Sequence, residues 1–198
     1  MMSRSVEFYF DVGSPTSYLA YTQLRKICDE TSATLIYRPI LLGAVFKATG
    51  NASPNDVPAK ARYSIKDLAR FAKRYQVPLT FNPHFPINTL SLMRALTAAQ
   101  TLQPQRFTEL LEITFRAMWV DALDLNDPGV LSAALTRSGF DPAEILGWVS
   151  NPSVKDQLKI NTEEAVARGV FGAPSMFVDD ELYFGQDRLD FVREALTE

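Results

Sequence analysis

Two strand patterns separated by one helical pattern occupy the first forty residues. Residues 6–10 are β-branched and aromatic, and glycine and proline interrupt the pattern within residues 11–15. Apolar residues at helical spacing follow, and residues 34–38 form the second strand pattern. Parallel neighbouring strands need a long crossover connection, so this order predicts a βαβ unit with two parallel strands.

The remainder of the chain is predicted to be a helical block followed by two strands and a helix. Residues 43–61 are rich in glycine, asparagine and proline and are expected to be mostly irregular. Helices are predicted from Ser64, which forms a capping box with Asp67, and over residues 89–102, 105–120, 128–138, 142–149 and 153–168. A hairpin over residues 175–184 and a helix from Asp187 complete the chain.

This order of elements predicts an α/β fold: a thioredoxin-like βαβ…ββα domain that carries an inserted all-α domain. The thioredoxin-like domain is assigned to residues 1–44 and 166–198, and the inserted helical domain to residues 45–165.

The chain contains one cysteine, Cys28, and one histidine, His84, among its 198 residues. These counts exclude an intramolecular disulfide, dithiol redox chemistry and a zinc site built from cysteine and histidine, so no metal is expected. Cys28 falls on the apolar face of the first helix and is expected to be buried. His84 lies between prolines with no recognisable role, which disfavours a Ser-His-Asp hydrolase.

Charge and hydropathy exclude two further classes of partner. The formal net charge is -3 and no basic cluster is present, which disfavours nucleic acid. No stretch approaches the roughly 18 apolar residues of a membrane helix, and the N-terminus is too short and interrupted for a signal peptide. We therefore expect a cytoplasmic protein that does not bind membranes.

Ser14 is the first candidate for chemistry, because it begins the sequence Ser14-Pro15-Thr16-Ser17 where a strand ends and a helix starts. In thioredoxin-like folds this place holds two cysteines, and here hydroxyls replace both sulfurs. The helix N-terminus can stabilise the thiolate of a bound thiol instead. Lowering a thiol pKa from about 8.5 to about 6.5 needs about 2.7 kcal/mol, within reach of a charge-assisted hydrogen bond plus the dipole. The alternative is that Ser14 only caps the helix.

Two later segments join this candidate. In a thioredoxin-like fold a cis Pro174 would turn the backbone of Ala173 toward a peptide-like ligand, whereas a trans proline would simply start an edge strand. The glycine turn at Gly185 leads to the last helix and suits a ligand carboxylate, while Asp187 binds an ammonium group or only caps that helix.

Taken together, these segments resemble the 2-hydroxychromene-2-carboxylate isomerases, relatives of kappa-class glutathione transferases. The matching residues, quoted from this sequence, are Phe8-Tyr9-Phe10-Asp11, Ser14-Pro15-x-Ser17-Tyr18-Leu19-Ala20, Gly50-Asn51, Pro58-x-Lys60, Tyr63, Asp67, Arg70, Gly172-Ala173-Pro174 and Phe184-Gly185-Gln186-Asp187-Arg188.

The resemblance implies a homodimeric, glutathione-dependent isomerase of aromatic catabolism in which Ser14 activates the glutathione thiol. It implies that Ala173 and Pro174 hold the cysteinyl backbone and that Phe184, Gly185, Gln186 and Asp187 hold the γ-glutamyl end. Lys47, Asn55, Lys60 and Phe85 are expected to contact an aromatic carboxylate substrate. For the lysines the alternative is a solvated surface charge, and for Phe85 it is a place in the core.

Two other functions remain open from the sequence. A kappa-class-like glutathione transferase would leave glutathione attached to an electrophile. A non-catalytic thioredoxin-like module would bind peptides beside the Pro174 loop. Fold alone does not decide between them.

Overall fold

The computed structural model of the protein describes residues 4–198. Its strands and helices are, in chain order, β1 Ser5–Phe10, α1 Pro15–Thr31, β2 Thr34–Pro39, α2 Leu42–Thr49, α3 Pro58–Tyr75, α4 Leu90–Leu102, α5 Phe107–Trp119, α6 Pro128–Arg137, α7 Pro142–Ser150, α8 Pro152–Ala167, β3 Ser175–Val178, β4 Glu181–Phe184 and α9 Leu189–Thr197. Short 3₁₀ turns lie at Pro54–Asp56 and Pro104–Arg106.

The strands form one sheet in the order β2-β1-β3-β4. β1 pairs with β2 in parallel and with β3 antiparallel, and β3 pairs with β4 as a hairpin. The α/β class and the βαβ…ββα order predicted from the sequence are confirmed.

Local sequence accounts for where several helices begin. Proline occupies the first turn of α1, α3, α6, α7 and α8, where its missing N–H costs no helical bond. The side chains of Ser14, Asp127, Asp141 and Asn151 accept backbone N–H groups at four of these starts. The predicted cap at Ser14 is confirmed.

Residues 43–61 differ from the prediction of mostly irregular structure. Residues 42–49 form α2, and α3 begins at Pro58 rather than at Ser64, so the Ser64–Asp67 capping box is wrong. Glycine and proline indicated irregular structure here, but they stand at helix ends. Gly50 is the left-handed C-cap of α2, and Pro58 is the first residue of α3.

The two faces of the sheet are covered differently because side chains alternate along β1. Phe8 and Phe10 face the main core, where they join Phe115 and Trp119 of α5. Tyr9 faces the other side, in a smaller cluster with Ala165 of α8 and Phe177 of β3. The main core therefore runs without interruption from the sheet into the helical block.

The predicted domain boundaries fall inside helices. The junction between residues 44 and 45 lies within α2, and the junction between residues 165 and 166 lies within α8. The division into a thioredoxin-like domain and an inserted helical domain stays a prediction. Within residues 4–198, no helix has the length and apolarity that crossing a membrane requires.

Candidate active site

Ser14 stands at the N-terminus of α1 with its hydroxyl fully engaged. Its Oγ accepts the N–H of Ser17 at 3.1 Å and donates to the carbonyl oxygen of Ala173 at 2.9 Å. The Thr16 hydroxyl lies 2.8 Å from Ser14 Oγ and 3.2 Å from the same carbonyl oxygen. The two predicted segments, Ser14 and the Ala173 loop, are thus brought into direct contact.

The Ala173–Pro174 bond is cis, as the thioredoxin-like alternative requires. The carbonyl of Pro174 accepts the N–H of Gly185 at 3.0 Å, which ties this loop to the end of the hairpin. The Ala173 N–H forms no hydrogen bond within residues 4–198. A peptide-like ligand would therefore find one free donor and one shared acceptor at Ala173.

The predicted γ-glutamyl end is a tight turn after β4. Gly185 has φ +97°, a left-handed backbone conformation that favours glycine, and a Cβ at this position would lie 2.5 Å from Oδ1 of Asp187. The Asp187 carboxylate pairs with Arg188 at 2.6 Å and does not cap α9, whose N-cap Arg188 has no side-chain cap bond. Asp187 is thus held at the surface beside the turn.

Tyr75, the last residue of α3, is not among the site residues predicted from the sequence. Its hydroxyl donates to the carbonyl oxygen of Gln186 at 2.5 Å. Burial, helped by Asp190 and Asp187, raises the pKa of Tyr75 to about 12, so it remains a donor at neutral pH. The helical block therefore fixes the backbone of the turn.

An aromatic pair covers Gly172 at the entrance to the Ala173 loop. The rings of Phe171 and Phe184 lie 4.6 Å apart, and both are partly exposed. A Cβ on Gly172 would be 2.8 Å from Cε2 of Phe184, so the ring packs directly on the glycine backbone. The Asn51 amide donates to the Phe171 carbonyl at 2.8 Å and links α2 to this segment.

Asp11 fixes the loop before Ser14 through hydrogen bonds to its side chain. Its buried carboxylate accepts the N–H groups of Gly13 and Leu42, each at 2.9 Å, and the Thr89 hydroxyl at 3.1 Å. Burial raises the pKa of this carboxyl, and the three hydrogen bonds oppose that rise. The sequence predicts no separate role for Asp11 beyond its place in the Phe8-Tyr9-Phe10-Asp11 motif. An aspartate two residues before glycine at a strand end was the available signal.

The predicted substrate residues do not meet at Ser14. Lys47 and Lys60 are exposed, and Asn55 lies in a 3₁₀ turn with its N–H bonded to Ser53. Phe85 packs against Phe81 and Trp119 at centroid distances of 5.6 and 6.1 Å. Within residues 4–198, none of the four makes a hydrogen bond or ring contact with Ser14 or Ala173.

Cys28 and His84 stand apart from this site. Burial raises the pKa of the Cys28 thiol to about 11, which leaves it protonated and unreactive at neutral pH. His84 Nδ1 lies 3.5 Å from Asp124 in an exposed pair.

Comparison with known proteins places this geometry in a family. The model of the DSBA-like thioredoxin domain matches residues 5–197. The chain belongs to the DSBA-like thioredoxin family. The resemblance to 2-hydroxychromene-2-carboxylate isomerases is also confirmed: the chain is 34% identical to an enzyme of that name from Sphingobium xenophagum, over 100% of both chains.

Two further proteins are similar to this chain over most of its length. Human glutathione S-transferase kappa 1 is 30% identical, over 100% of this chain and 92% of the relative. A solved structure of a 2-hydroxychromene-2-carboxylate isomerase superposes with a TM-score of 0.85 and 29% identity, covering 97% of this chain and 94% of the other.

Proposed function

We propose that the protein is a glutathione-dependent isomerase of the 2-hydroxychromene-2-carboxylate isomerase type. The observation that carries this proposal is the contact between the Ser14 hydroxyl and the Ala173 carbonyl at a helix N-terminus that holds no sulfur. A relative named for the same isomerisation is 34% identical over the whole chain.

Glutathione binding is proposed to rearrange this contact. The cysteinyl N–H of glutathione would take the Ala173 carbonyl, and its carbonyl would accept the free Ala173 N–H. The Ser14 hydroxyl then loses its acceptor and turns to the incoming sulfur, where the N-terminus of α1 also favours negative charge. The γ-glutamyl ammonium group would lie by Asp187, and its carboxylate by the Gly185 turn.

The reaction uses the glutathione thiolate as a nucleophile that is regenerated at the end of each turnover. The hemiketal ring of the substrate opens to the cis enone, and the sulfur adds to the carbon attached to the aromatic ring. Electrons move to the ketone oxygen as an enolate, which leaves a single bond that can rotate. Collapse of the enolate expels the thiolate and forms the trans alkene, so no atom or electron is gained or lost.

An absorbance assay tests the proposal. Purified protein with glutathione should convert 2-hydroxychromene-2-carboxylate to trans-o-hydroxybenzylidenepyruvate, and no turnover without glutathione is expected. Ser14→Ala should lower kcat/KM about tenfold or more, corresponding to about 1.4 kcal/mol. Ser150→Ala, at the exposed end of α7, is the matched control and should leave the rate unchanged. Failure of the wild-type protein to convert this substrate would refute the assignment.

A glutathione transferase remains the second candidate because of the 30% identity to glutathione S-transferase kappa 1. Product analysis separates the two functions, since a transferase consumes one glutathione per turnover and the isomerase consumes none. A non-catalytic peptide-binding module is favoured instead if calorimetry detects no binding of glutathione.

The cellular setting completes the proposal. A homodimer acting in the cytoplasm, in the breakdown of aromatic compounds, follows from the resemblance and from the need for reduced glutathione. Sedimentation velocity tests the oligomeric state.

A further inference from the structure

A cleft of about 640 Å³ lies between α2, the start of α4, and α8. Sites for small ligands usually fall in this range of volume. None of the residues proposed to hold glutathione lines it. Its apolar walls come from Leu41, Ala44, Ala48, Leu90, Leu158 and Val166.

Arg94, on α4, is a cation placed against these apolar walls. Its Nε is buried and has no hydrogen-bond acceptor within residues 4–198, and the side chain forms no ion pair with a carboxylate of that range. By contrast, Arg38 and Arg168 each lie 2.7 Å from the carboxylate of Glu7. Arg94 lines the cleft without a carboxylate partner within residues 4–198, so its charge is available to an acceptor that binds there.

The other charges of the cleft lie along α8 and are exposed. They are Lys155, Asp156, Lys159 and Glu163. Lys159 and Glu163 pair with each other at 3.8 Å. The opposite charges of Lys155 and Asp156 also cancel, so the cleft has one net positive charge, that of Arg94. A planar guanidinium matches the two oxygens of a carboxylate.

We propose that this cleft binds a small organic carboxylate with an apolar body. The carboxylate meets Arg94, and the apolar body lies against Leu90 and Leu158. This site is separate from the glutathione site and requires neither glutathione nor turnover.

Methyl NMR of alanine-labelled protein tests the proposal with 2-naphthoate as the probe. The methyl groups of Ala44 and Ala48 report on the cleft, and the methyl group of Ala173 reports on the glutathione site. Titration should shift the Ala44 and Ala48 signals in a saturable manner. The neutral analogue 2-naphthamide should bind about tenfold more weakly or worse, because it lacks the charge that Arg94 requires.

Variants of Arg94 then test whether this residue binds the carboxylate of the probe. Arg94→Met should raise the Kd for 2-naphthoate about tenfold or more, and Arg94→Lys should raise it less because a cation remains. Arg137→Met, which removes an exposed arginine of α6, is the control and should leave Kd within about twofold of wild type. The melting temperature of each variant shows whether it is folded.

The proposal is overturned by unshifted Ala44 and Ala48 signals, by equal binding of the acid and the amide, or by binding that is unchanged in folded Arg94→Met. Protein-concentration-dependent shifts of the same alanines without probe would show that a second copy covers the cleft, which also overturns it. A shift at Ala173 alone would report on the glutathione site and contradict the cleft assignment.

Discussion

At the scale of single residues, the only thiol of the chain lies away from the reactive position. The lone thiol, Cys28, is buried among apolar side chains, and an oxygen occupies the helix terminus at Ser14. The environment that would activate a cysteine is therefore present at Ser14 without one, and the available cysteine lies where its thiolate is disfavoured.

This arrangement predicts opposite reactivities for thiols at the two positions. In wild-type protein at pH 8, Cys28 should react with a disulfide reagent only after urea is added, because its pKa of about 11 keeps it protonated. A thiol introduced by Ser14→Cys should react at pH 7 in the folded protein at least as fast as a free thiol. Stopped-flow absorbance measures both rates. Rapid reaction of Cys28 in the folded wild type would contradict the assigned burial.

The same thiol predicts a pH dependence of stability. The pKa of Cys28 is raised above its ordinary value of 9.0, so the folded state holds the proton more tightly than the unfolded state. Its contribution to the free energy of unfolding is complete below pH 9 and is lost as pH rises toward about 11. Urea titrations of wild type and Cys28→Ala should converge over this window. A constant difference would show that the thiol does not titrate there.

At the scale of elements, the loops of the site are fixed by contacts from the helical block. Trp119 of α5 donates to the Val12 carbonyl at 2.7 Å, and Tyr75 of α3 donates to the Gln186 carbonyl at 2.5 Å. The helical block thus orients both the Ser14 loop and the proposed γ-glutamyl turn.

Removal of one of these bonds should weaken glutathione binding without touching a proposed ligand contact. Tyr75→Phe leaves the Gln186 carbonyl without its donor, which costs about 1–3 kcal/mol. Calorimetry should show a several-fold higher Kd for glutathione. Tyr63→Phe is the control, because Tyr63 lies on the same helix with 62% of its surface exposed. Equal Kd values for the two variants would remove the role assigned to α3.

The glycine beneath the aromatic pair gives a second test at this scale. Gly172→Ala would bring a methyl group to 2.8 Å from the partly exposed Phe184 ring, and the displaced ring should destabilise the protein by about 1 kcal/mol. Gly147→Ala is the control, because no atom lies within 4 Å of its new methyl group. Within α7, that change should stabilise the protein by up to about 1 kcal/mol. Thermal unfolding of both variants provides the comparison, and equal melting temperatures would contradict it.

Sequence reasoning succeeded where one local signal decides the structure. Residues 175–178 and 181–184 are strands as predicted, because two short apolar runs flank a turn of two aspartates. The contact between Ser14 and Ala173 was predictable only through the thioredoxin-like fold, which brings these distant segments to one site. Thr16, Tyr75 and Trp119 were missed as parts of the site, because their partners lie 157, 111 and 107 residues away and no local pattern records such contacts.

At the scale of the whole molecule, the sheet and the helical block share one core. Phe10 of β1 contacts Phe115 of α5 at a centroid distance of 6.0 Å, within the main cluster. A domain boundary across such a core does not give two independent folding units.

We therefore expect a single unfolding transition. Trp119 and Trp148 report on the helical block by fluorescence, and amide exchange of β1 and β3 reports on the sheet. Both probes should give the same midpoint in urea. Two separated midpoints would show that the helical block unfolds on its own.

In the proposed mechanism, Ser14 and the N-terminus of α1 lower the pKa of the thiol of bound glutathione. Thiolate absorbance of glutathione bound to the protein, recorded as a function of pH, measures this most directly. The bound thiol should titrate near pH 6.5, about two units below its ordinary value, and Ser14→Ala should return most of that shift. A bound thiol with the pKa of free glutathione, or an unchanged pKa in the variant, would contradict the claim.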